Sequence, residues 1–116
     1  MIRSYHTPER IKKICRQLTL HKVYSDCGTM SSWYRNPDMI KHVIVYFNDD
    51  GTISGSFVIL HKRDIFEGYN CGTFVKHDFR RMGIGRKLIE RAKQLKIDIH
   101  PWTGNYTARS FYQKVI

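Results

Sequence analysis

Residues Val75 to Arg91 read Val-Lys-His-Asp-Phe-Arg-Arg-Met-Gly-Ile-Gly-Arg-Lys-Leu-Ile-Glu-Arg. They follow an apolar, strand-like run and end in a pattern typical of a helix. Between the two, Gly83 and Gly85 stand behind a pair of arginines. Glycines let a ligand approach the backbone, and the free N–H groups of the first helical turn then point at it with the positive end of the helix dipole. This stretch therefore predicts a binding site for an anion such as a phosphate.

Length and composition predict one soluble globular domain over residues 1–116. The chain has 116 residues, of which 41% are hydrophobic and 26% charged. This is enough chain to bury a core, and it is too apolar for a disordered segment. Neither end has an apolar run that suits a signal peptide or a membrane span, so the expected location is cytoplasmic, with no membrane contact.

The net charge is high, because 20 Lys and Arg residues face 10 Asp and Glu residues and give a formal charge of +10. Such a field concentrates anions near the surface, whether they are nucleotide cofactors, acidic proteins or nucleic acids. Charge alone does not choose among these partners. A cationic surface that only keeps the protein soluble is the remaining alternative.

The three cysteines, Cys15, Cys27 and Cys71, show neither metal-ligand spacing nor a C-x-x-C pair. An odd number without such spacing predicts reduced thiols and no metal site. Cys15 falls on an apolar helical stripe, which favours a place in the core.

The first quarter of the chain predicts a short strand at Ile2 to Tyr5 and a helix from Pro8 to about Leu20. Thr7 suits the N-cap, and proline is well placed at the first helical position. The apolar residues recur at helical spacing and predict one buried stripe. The stripe consists of Ile11, Ile14, Cys15 and Leu18.

Residues 21–41 have no clean period, which predicts irregular structure with at most a short helix near Pro37 to Lys41. Met30, Trp33 and Tyr34 are too apolar for a fully solvated loop. Two readings stay open for this segment: it contacts a ligand, or it folds back to complete the core.

The middle of the chain predicts an antiparallel hairpin, with strands at residues 42–47 and 52–61 around an Asn-Asp-Asp-Gly turn. A third strand is expected over residues 67–76. From Gly83 a helix should run to about residue 96, followed by a short strand at residues 97–100 and a helix at residues 104–115. A helix that connects two strands in this way predicts parallel pairing, hence an α/β fold with a mixed sheet.

The glycine-containing loop lacks the Walker pattern and the dinucleotide fingerprint. Arg80 to Gly85 instead resembles the R/Q-x-x-G-x-G/A signature of the GCN5-related N-acetyltransferase (GNAT) family. Asn105 to Tyr112 resembles the N-x-x-A-x-x-F-Y segment of the last helix in that family. Two motifs in the family's order imply a GNAT-like fold.

The resemblance implies acetyl-coenzyme A as cosubstrate, without a metal. In the family, the pantetheine arm runs along the fourth strand, the pyrophosphate lies on backbone amides of the loop, and an asparagine hydrogen-bonds the arm. The positions that match are Thr73, Phe74 and Val75 on the strand, Arg80, Arg81, Met82, Gly83, Ile84, Gly85 and Arg86 in the loop, and Asn105. Asn105 equally suits a helix N-cap, and the two roles are compatible.

The resemblance implies Tyr112 and His100 as the catalytic positions. Tyr112 matches the tyrosine that protonates the departing thiolate in the family, although it also fits a core position. His100 stands near the position where some relatives carry a glutamate base, with Glu67 and a water chain as alternatives. Cys71 could suggest an acyl-cysteine intermediate, but the family precedent is direct attack on the thioester.

The end of the chain departs from the family pattern. Related domains usually continue from this helix into two more strands, whereas here the sequence stops at Ile116. The expectation is a C-terminally truncated member with an exposed sheet edge and an opened acceptor site. A second copy of the chain could cover that edge as a homodimer.

The sequence therefore predicts an acetyl-coenzyme A-dependent N-acetyltransferase acting on a primary amine by direct attack. The acceptor could be a protein lysine or N-terminus, a small amine, or an aminoacyl group on RNA. The positive charge favours a negatively charged acceptor or carrier, such as an acidic protein or RNA. The alternative is a basic binding protein with the same fold and little or no turnover, which contacts nucleic acid or an acidic protein.

Overall fold

A computed structural model describes residues 1–26 and 28–116. Along the chain, the strands and helices are β1 (Ile2–Tyr5), α1 (Pro8–Leu20), α2 (Thr29–Arg35), β2 (Ile40–Phe47), β3 (Ile53–Leu60), β4 (Cys71–Val75), α3 (Ile84–Gln94) and α4 (Tyr106–Val115). Short 3₁₀ turns, Pro37–Met39 and His77–Phe79, precede β2 and follow β4. The prediction for Cys27 falls outside the described residues. Cys15 and Cys71 are buried free thiols.

The four strands form an antiparallel sheet in the order β1-β2-β3-β4. Side chains alternate between its faces, as a pleated strand requires. Val43 and Val45 on β2 belong to a cluster with α1 and α2, while Ile44 belongs to a cluster with α3 and α4. The sheet thus lies between two helical layers, and the predicted α/β fold class is confirmed. The expected mixed sheet is not, because the named strands of the described structure all pair antiparallel.

Helix α1 has the predicted bounds, with Pro8 at its first position and its whole apolar stripe buried. Thr7 occupies the N-cap position with extended backbone, but its side chain makes no capping hydrogen bond. Burial of the stripe, rather than the cap, therefore holds the helix in place.

Helix α2 was not predicted, since residues 21–41 were expected to be irregular apart from the short turn near Pro37. Its seven residues are too few to be stable alone, so tertiary contacts must hold them. Met30, Trp33 and Tyr34 are buried, and the Tyr34 hydroxyl donates a 2.7 Å hydrogen bond to the Val23 carbonyl oxygen. Of the two readings, folding back into the core is confirmed for these side chains.

The predicted fifth strand at residues 97–100 is wrong for the described structure, where this segment has one isolated parallel bridge, between Cys71 and Pro101. The Asn70 side chain holds the segment instead, donating to the Asp98 carbonyl oxygen at 2.9 Å and accepting from the His100 N–H at 2.7 Å. Pro101 has no N–H to extend a ladder. The segment therefore lies beside β4 without becoming a full strand.

Across residues 1–26 and 28–116, no helix combines the length and the apolar character that crossing a membrane requires.

Candidate active site

The outer edge of β4 presents backbone groups to a cleft. Backbone hydrogen bonds join Asn70 and Lys76 to β3. Partners alternate along an antiparallel ladder, so the even-numbered residues between them also bond to β3. The residues whose N–H and C=O groups face the opposite edge are Cys71, Thr73 and Val75. Cys71 already bridges to Pro101 there, and the Val75 carbonyl oxygen accepts from Arg80, which leaves Thr73 and the Val75 N–H, among the described residues, for a ligand. An extended ligand can therefore pair with this edge as a further strand would.

The loop after β4 turns sharply into α3. Gly83 forms the N-cap of α3 at φ +76°, and Arg81 also has a positive φ, at +67°. Within the described residues no side chain caps α3, so the N–H groups of its first turn remain available to an anion. Arg80 bends back, and its Nε donates a 3.0 Å hydrogen bond to the Val75 carbonyl oxygen. The loop is thus shaped by its own backbone and anchored to the strand.

Gly85 lets α3 and α4 meet closely at this point. A Cβ on Gly85 would lie 3.0 Å from the Phe111 ring, closer than a real Cβ contact normally comes. Asn105 caps α4, with its Oδ1 accepting a 2.8 Å hydrogen bond from the Ala108 N–H. The predicted capping role of Asn105 is therefore present in the structure.

Tyr112 of α4 reaches the open edge of β4. Its hydroxyl lies 3.1 Å from Thr73 Oγ1, and only 9% of the residue is exposed. Burial raises the pKa of the Tyr112 hydroxyl to about 12, although hydrogen bonding to Thr73 opposes the rise. The phenol therefore stays protonated at neutral pH and can donate a hydrogen bond.

A groove of about 990 Å³ lies between β4, the loop and α4. Its size falls in the range of small-molecule sites. Phe79, Ala108 and Phe111 add apolar walls. The predicted site residues that line it are Thr73, Phe74, Val75, Arg80, Arg81, Gly83, Ile84, Gly85, Arg86, Asn105 and Tyr112. Met82 is the exception among the predicted loop positions, since it is exposed and does not line the groove.

A second cavity of about 510 Å³ also borders Thr73 and Tyr112. It is walled by side chains from α2, from the loop before β4 and from the segment before α4. These include Trp33, Glu67, Tyr69 and Trp102. The two cavities share Thr73 and Tyr112, together with Ser25, Asn105 and Ala108. A molecule in each cavity would therefore meet at the Tyr112 hydroxyl.

His100 lines neither cavity. Its Nε2 pairs with Asp98 Oδ2 at 2.8 Å, and its backbone bonds to Asn70. Glu67, the alternative base, does line the second cavity. Cys71 also lines this cavity, but burial raises the pKa of its thiol to about 12, which disfavours the nucleophilic thiolate.

The aromatic walls of the second cavity are the part of the site that the sequence did not assign. For Trp33 the sequence leaves ligand contact open as one of two interpretations, and it assigns no role to Tyr69 or Trp102. Gly72 is the residue in the sequence that relates to this cavity: a Cβ there would lie 2.8 Å from the Trp33 ring, so only glycine leaves room for the indole. That relation has meaning only once the packing of α2 on β4 is known.

Comparison with known sequences identifies the family. A profile of the acetyltransferase (GNAT) domain matches residues 40–115. The match spans well over half of the chain and includes both motifs, so the chain belongs to the GNAT acetyltransferase family. Among curated proteins, no sequence matches the chain.

Solved structures show the same fold. A Bacillus halodurans protein superposes with a TM-score of 0.57 at 17% identity, covering 98% of this chain and 90% of that one. A ribosomal-protein-alanine N-acetyltransferase from Brucella melitensis biovar Abortus 2308 gives 0.56 at 14%, covering 99% and 89%. Glucosamine-6-phosphate N-acetyltransferase from Arabidopsis thaliana gives 0.52 at 14%, covering 99% and 90%. At these identities the likeness establishes the fold alone.

Proposed function

We propose that this protein is an acetyl-coenzyme A-dependent N-acetyltransferase that transfers the acetyl group to a primary amine by direct attack. One observation carries the proposal: two cavities of different character meet at Thr73 and Tyr112. The groove suits the cosubstrate, because it combines an open strand edge, an uncapped helix N-terminus and several arginines. The second cavity suits the acceptor.

The residues of the groove would hold acetyl-coenzyme A in three ways. The β4 edge at Thr73 and Val75 would pair with the pantetheine arm, and the loop from Arg80 to Arg86 would bind the pyrophosphate. Asn105 would contact the arm at the junction. The thioester supplies the activated acetyl group, and the protein supplies its orientation.

In the transfer, the amine nitrogen forms a bond to the acetyl carbonyl carbon, and the carbon–sulfur bond breaks. The electron pair of that bond leaves on sulfur as thiolate, while the nitrogen loses a proton to a base. An outward N–H on β4 near Val75 would stabilise the negative charge that develops on the carbonyl oxygen. The products are an amide and, once the thiolate is protonated, free coenzyme A.

Tyr112 assists the departing sulfur chiefly as a hydrogen-bond donor. With its pKa at about 12 and an ordinary thiol near 8.5, a complete proton transfer from phenol to thiolate is uphill by about 5 kcal/mol. Stabilising the charge through a hydrogen bond avoids that cost, and solvent can protonate the thiolate after release. The acid role predicted from the family thus takes the form of a donor.

The base must remove a proton that an ordinary amine, with a pKa near 10.4, holds almost completely at pH 7. Glu67 is the side chain that lines the acceptor cavity with a carboxylate, so we assign it this role, acting through a water. We expect Glu67→Gln to lower kcat/KM for the amine about 10²-fold at pH 7. The deficit should shrink toward pH 9, because each pH unit raises the neutral amine about tenfold.

Steady-state kinetics of Glu67→Gln at pH 7, 8 and 9 test this assignment, with Glu90→Gln on the exposed face of α3 as the matched control. Wild-type activity in Glu67→Gln at pH 7 would remove the residue from the base role. The same series on His100→Gln would then decide between that histidine and solvent.

Calorimetry with acetyl-coenzyme A, followed by mass spectrometry of an amine panel, tests the enzyme itself. The panel should include a small amine, a peptide with a free lysine, a peptide with a free N-terminus, and an aminoacyl-RNA. Failure to bind the cosubstrate with Kd below about 1 mM would overturn the proposal. Salt-dependent binding of RNA or of an acidic protein in its place would favour the binding-protein alternative.

A further inference from the structure

The two cavities differ in charge. Among the described residues, the groove is lined by four cationic side chains and no carboxylate: Arg80, Arg81, Arg86 and Lys114. The second cavity, as far as the described residues line it, contains no lysine, arginine or histidine, and Glu67 is its acidic side chain. This contrast occurs in a chain that carries a formal charge of +10. The acceptor cavity therefore departs from the charge of the molecule as a whole.

The walls of the second cavity are aromatic. Trp33 and Tyr69 lie with their ring centroids 6.4 Å apart at an interplanar angle of 38°, and Trp102 and Tyr112 are the other two aromatic residues in a lining that also has polar and aliphatic members. Indole and phenol faces attract cations through the negative face of the ring, with tryptophan the strongest. A carboxylate beside such faces is complementary to an ammonium group.

A turn with internal hydrogen bonds fixes the backbone at Glu67, whose side chain is exposed. The Asp64 carboxylate accepts hydrogen bonds from the N–H groups of Phe66, at 3.0 Å, and Glu67, at 2.7 Å. The Gly68 carbonyl oxygen accepts a 2.9 Å hydrogen bond from Arg63 Nε. Burial is the main cause of the raised pKa of Tyr69, and the negative charges of Asp64 and Glu67 add to it. These two carboxylates therefore lie near the Tyr69 ring. Among the described residues, no lysine or arginine forms an ion pair with Glu67.

We infer that the second cavity selects a primary ammonium on an apolar arm and rejects acceptors that carry a phosphate or a carboxylate. This inference rests on the proposed function, because it treats the cavity as the acceptor site. The aromatic faces and Glu67 favour the cation, whereas an anionic substituent would meet a carboxylate and no compensating positive side chain. It differs from the expectation, drawn from net charge, of a negatively charged acceptor, because the positive side chains at the site line the cosubstrate groove.

Tryptophan fluorescence can report this selection without turnover. The chain has two tryptophans, and both of them line the cavity. The probes are benzyltrimethylammonium, which cannot be acetylated, its neutral counterpart benzyl alcohol, and the anion benzenesulfonate. Each is titrated into the protein alone, so the result does not depend on whether acetyl-coenzyme A is bound or used.

We expect the cation to bind at least about tenfold more tightly than the neutral and anionic probes. Glu67→Gln should remove most of that preference, while Glu90→Gln should keep it. Equal or tighter binding of benzenesulfonate, or an unchanged preference in Glu67→Gln, would overturn the inference. Failure of the proposed function would show separately, as absent acetyl-coenzyme A binding in calorimetry.

Competition against the cationic probe then distinguishes two kinds of molecule that carry a primary ammonium group. Phenethylamine represents a free small amine, and a short neutral peptide represents an N-terminal ammonium. Displacement by the first alone points to a small-molecule acceptor, and displacement by the second extends the site to polypeptides. If neither compound displaces the probe at concentrations at which the probe itself saturates the site, the inference that the cavity binds a primary ammonium would be overturned.

Discussion

At the scale of single residues, Tyr112 links the two halves of the site. Its phenol oxygen lies 3.1 Å from Thr73 Oγ1, at the point that both cavities share. Phe111, beside it, packs against Gly85 at the start of α3. The two neighbouring aromatic residues thus differ in role: Phe111 packs α4 against the start of α3, and Tyr112 carries the donor role in the proposed mechanism.

Tyr112→Phe should lower kcat about 10²-fold, the typical effect of removing one donor from developing negative charge. The Kd for acetyl-coenzyme A should stay within about threefold, since the ring still packs and the groove keeps its other contacts. Tyr106→Phe on the same helix, with the tyrosine 80% exposed, is the matched control. Wild-type kcat in Tyr112→Phe, measured by release of the coenzyme A thiol, would remove the hydroxyl from the mechanism.

Most residues of the groove could be predicted because they lie in two continuous motifs or on the strand just before the first motif. The contact of Tyr112 with Thr73 spans 39 positions and was not predicted, because the family resemblance gave each residue a separate role. The aromatic cavity could not be predicted, since it draws Trp33, Tyr69 and Trp102 from three separate segments. His100 shows that position in the sequence alone does not identify a site residue. It is five residues before Asn105, yet its ring pairs with Asp98 and it lines neither cavity.

At the scale of secondary-structure elements, the local sequence pattern is sufficient to predict an element when its own residues contain the start, the turn or the apolar stripe. Helix α1 has a favourable start and a complete apolar stripe, and the β2–β3 hairpin has a strong turn. Helix α2 has Met30, Trp33 and Tyr34 at helical spacing, but seven residues give too little pattern to distinguish from a loop. The segment at residues 97–100 has the composition of a strand. It is held by hydrogen bonds from the Asn70 side chain and by one bridge at Pro101, in place of the backbone hydrogen bonds of a full strand.

The loop that begins α3 provides a test at this scale through Gly83. Its φ of +76° suits glycine, and a side chain there would find open space. Gly83→Asp should fold with a modest loss of stability, about 1–2 kcal/mol from the left-handed backbone. Its carboxylate would then occupy the helix N-terminus that the pyrophosphate needs, so affinity for acetyl-coenzyme A should fall at least about 10²-fold.

Gly83→Asn is the matched control, because asparagine has nearly the same shape without the charge and tolerates positive φ. Calorimetry gives the two affinities, and urea unfolding verifies that both variants fold. An equal loss of affinity in the two variants would assign the effect to shape rather than charge. Unchanged affinity in Gly83→Asp would show that the pyrophosphate does not bind at this helix.

At the scale of the whole molecule, the sheet separates two helical layers, and four weakly acidic groups of the described residues lie in the interior. These are the thiols of Cys15 and Cys71 and the phenols of Tyr34 and Tyr112. Burial raises the pKa of Cys15 to about 11 and of Cys71 and Tyr112 to about 12, and it raises that of Tyr34 as well. In each case the folded state favours the protonated, neutral form.

Because these folded pKa values exceed the unfolded ones, 9.0 for the thiols and 10.0 for the phenols, their contribution to stability is complete below about pH 9. Above that pH the unfolded chain releases protons that the folded chain retains, so the free energy of unfolding falls as pH rises. Each such group adds a slope of about 1.4 kcal/mol per pH unit between its unfolded and folded values.

Cys15→Ala isolates one of these contributions. The variant should be less stable than wild type at pH 7, because it leaves a small cavity beneath α1. Its loss of stability between pH 9 and 11 should nevertheless be shallower, by about 1.4 kcal/mol per pH unit, since one buried acid is gone. Urea unfolding across this range measures both slopes, and Tyr106→Phe at an exposed site should keep the wild-type slope. A wild-type slope in Cys15→Ala would mean that ionisation of the buried Cys15 thiol does not drive the alkaline unfolding.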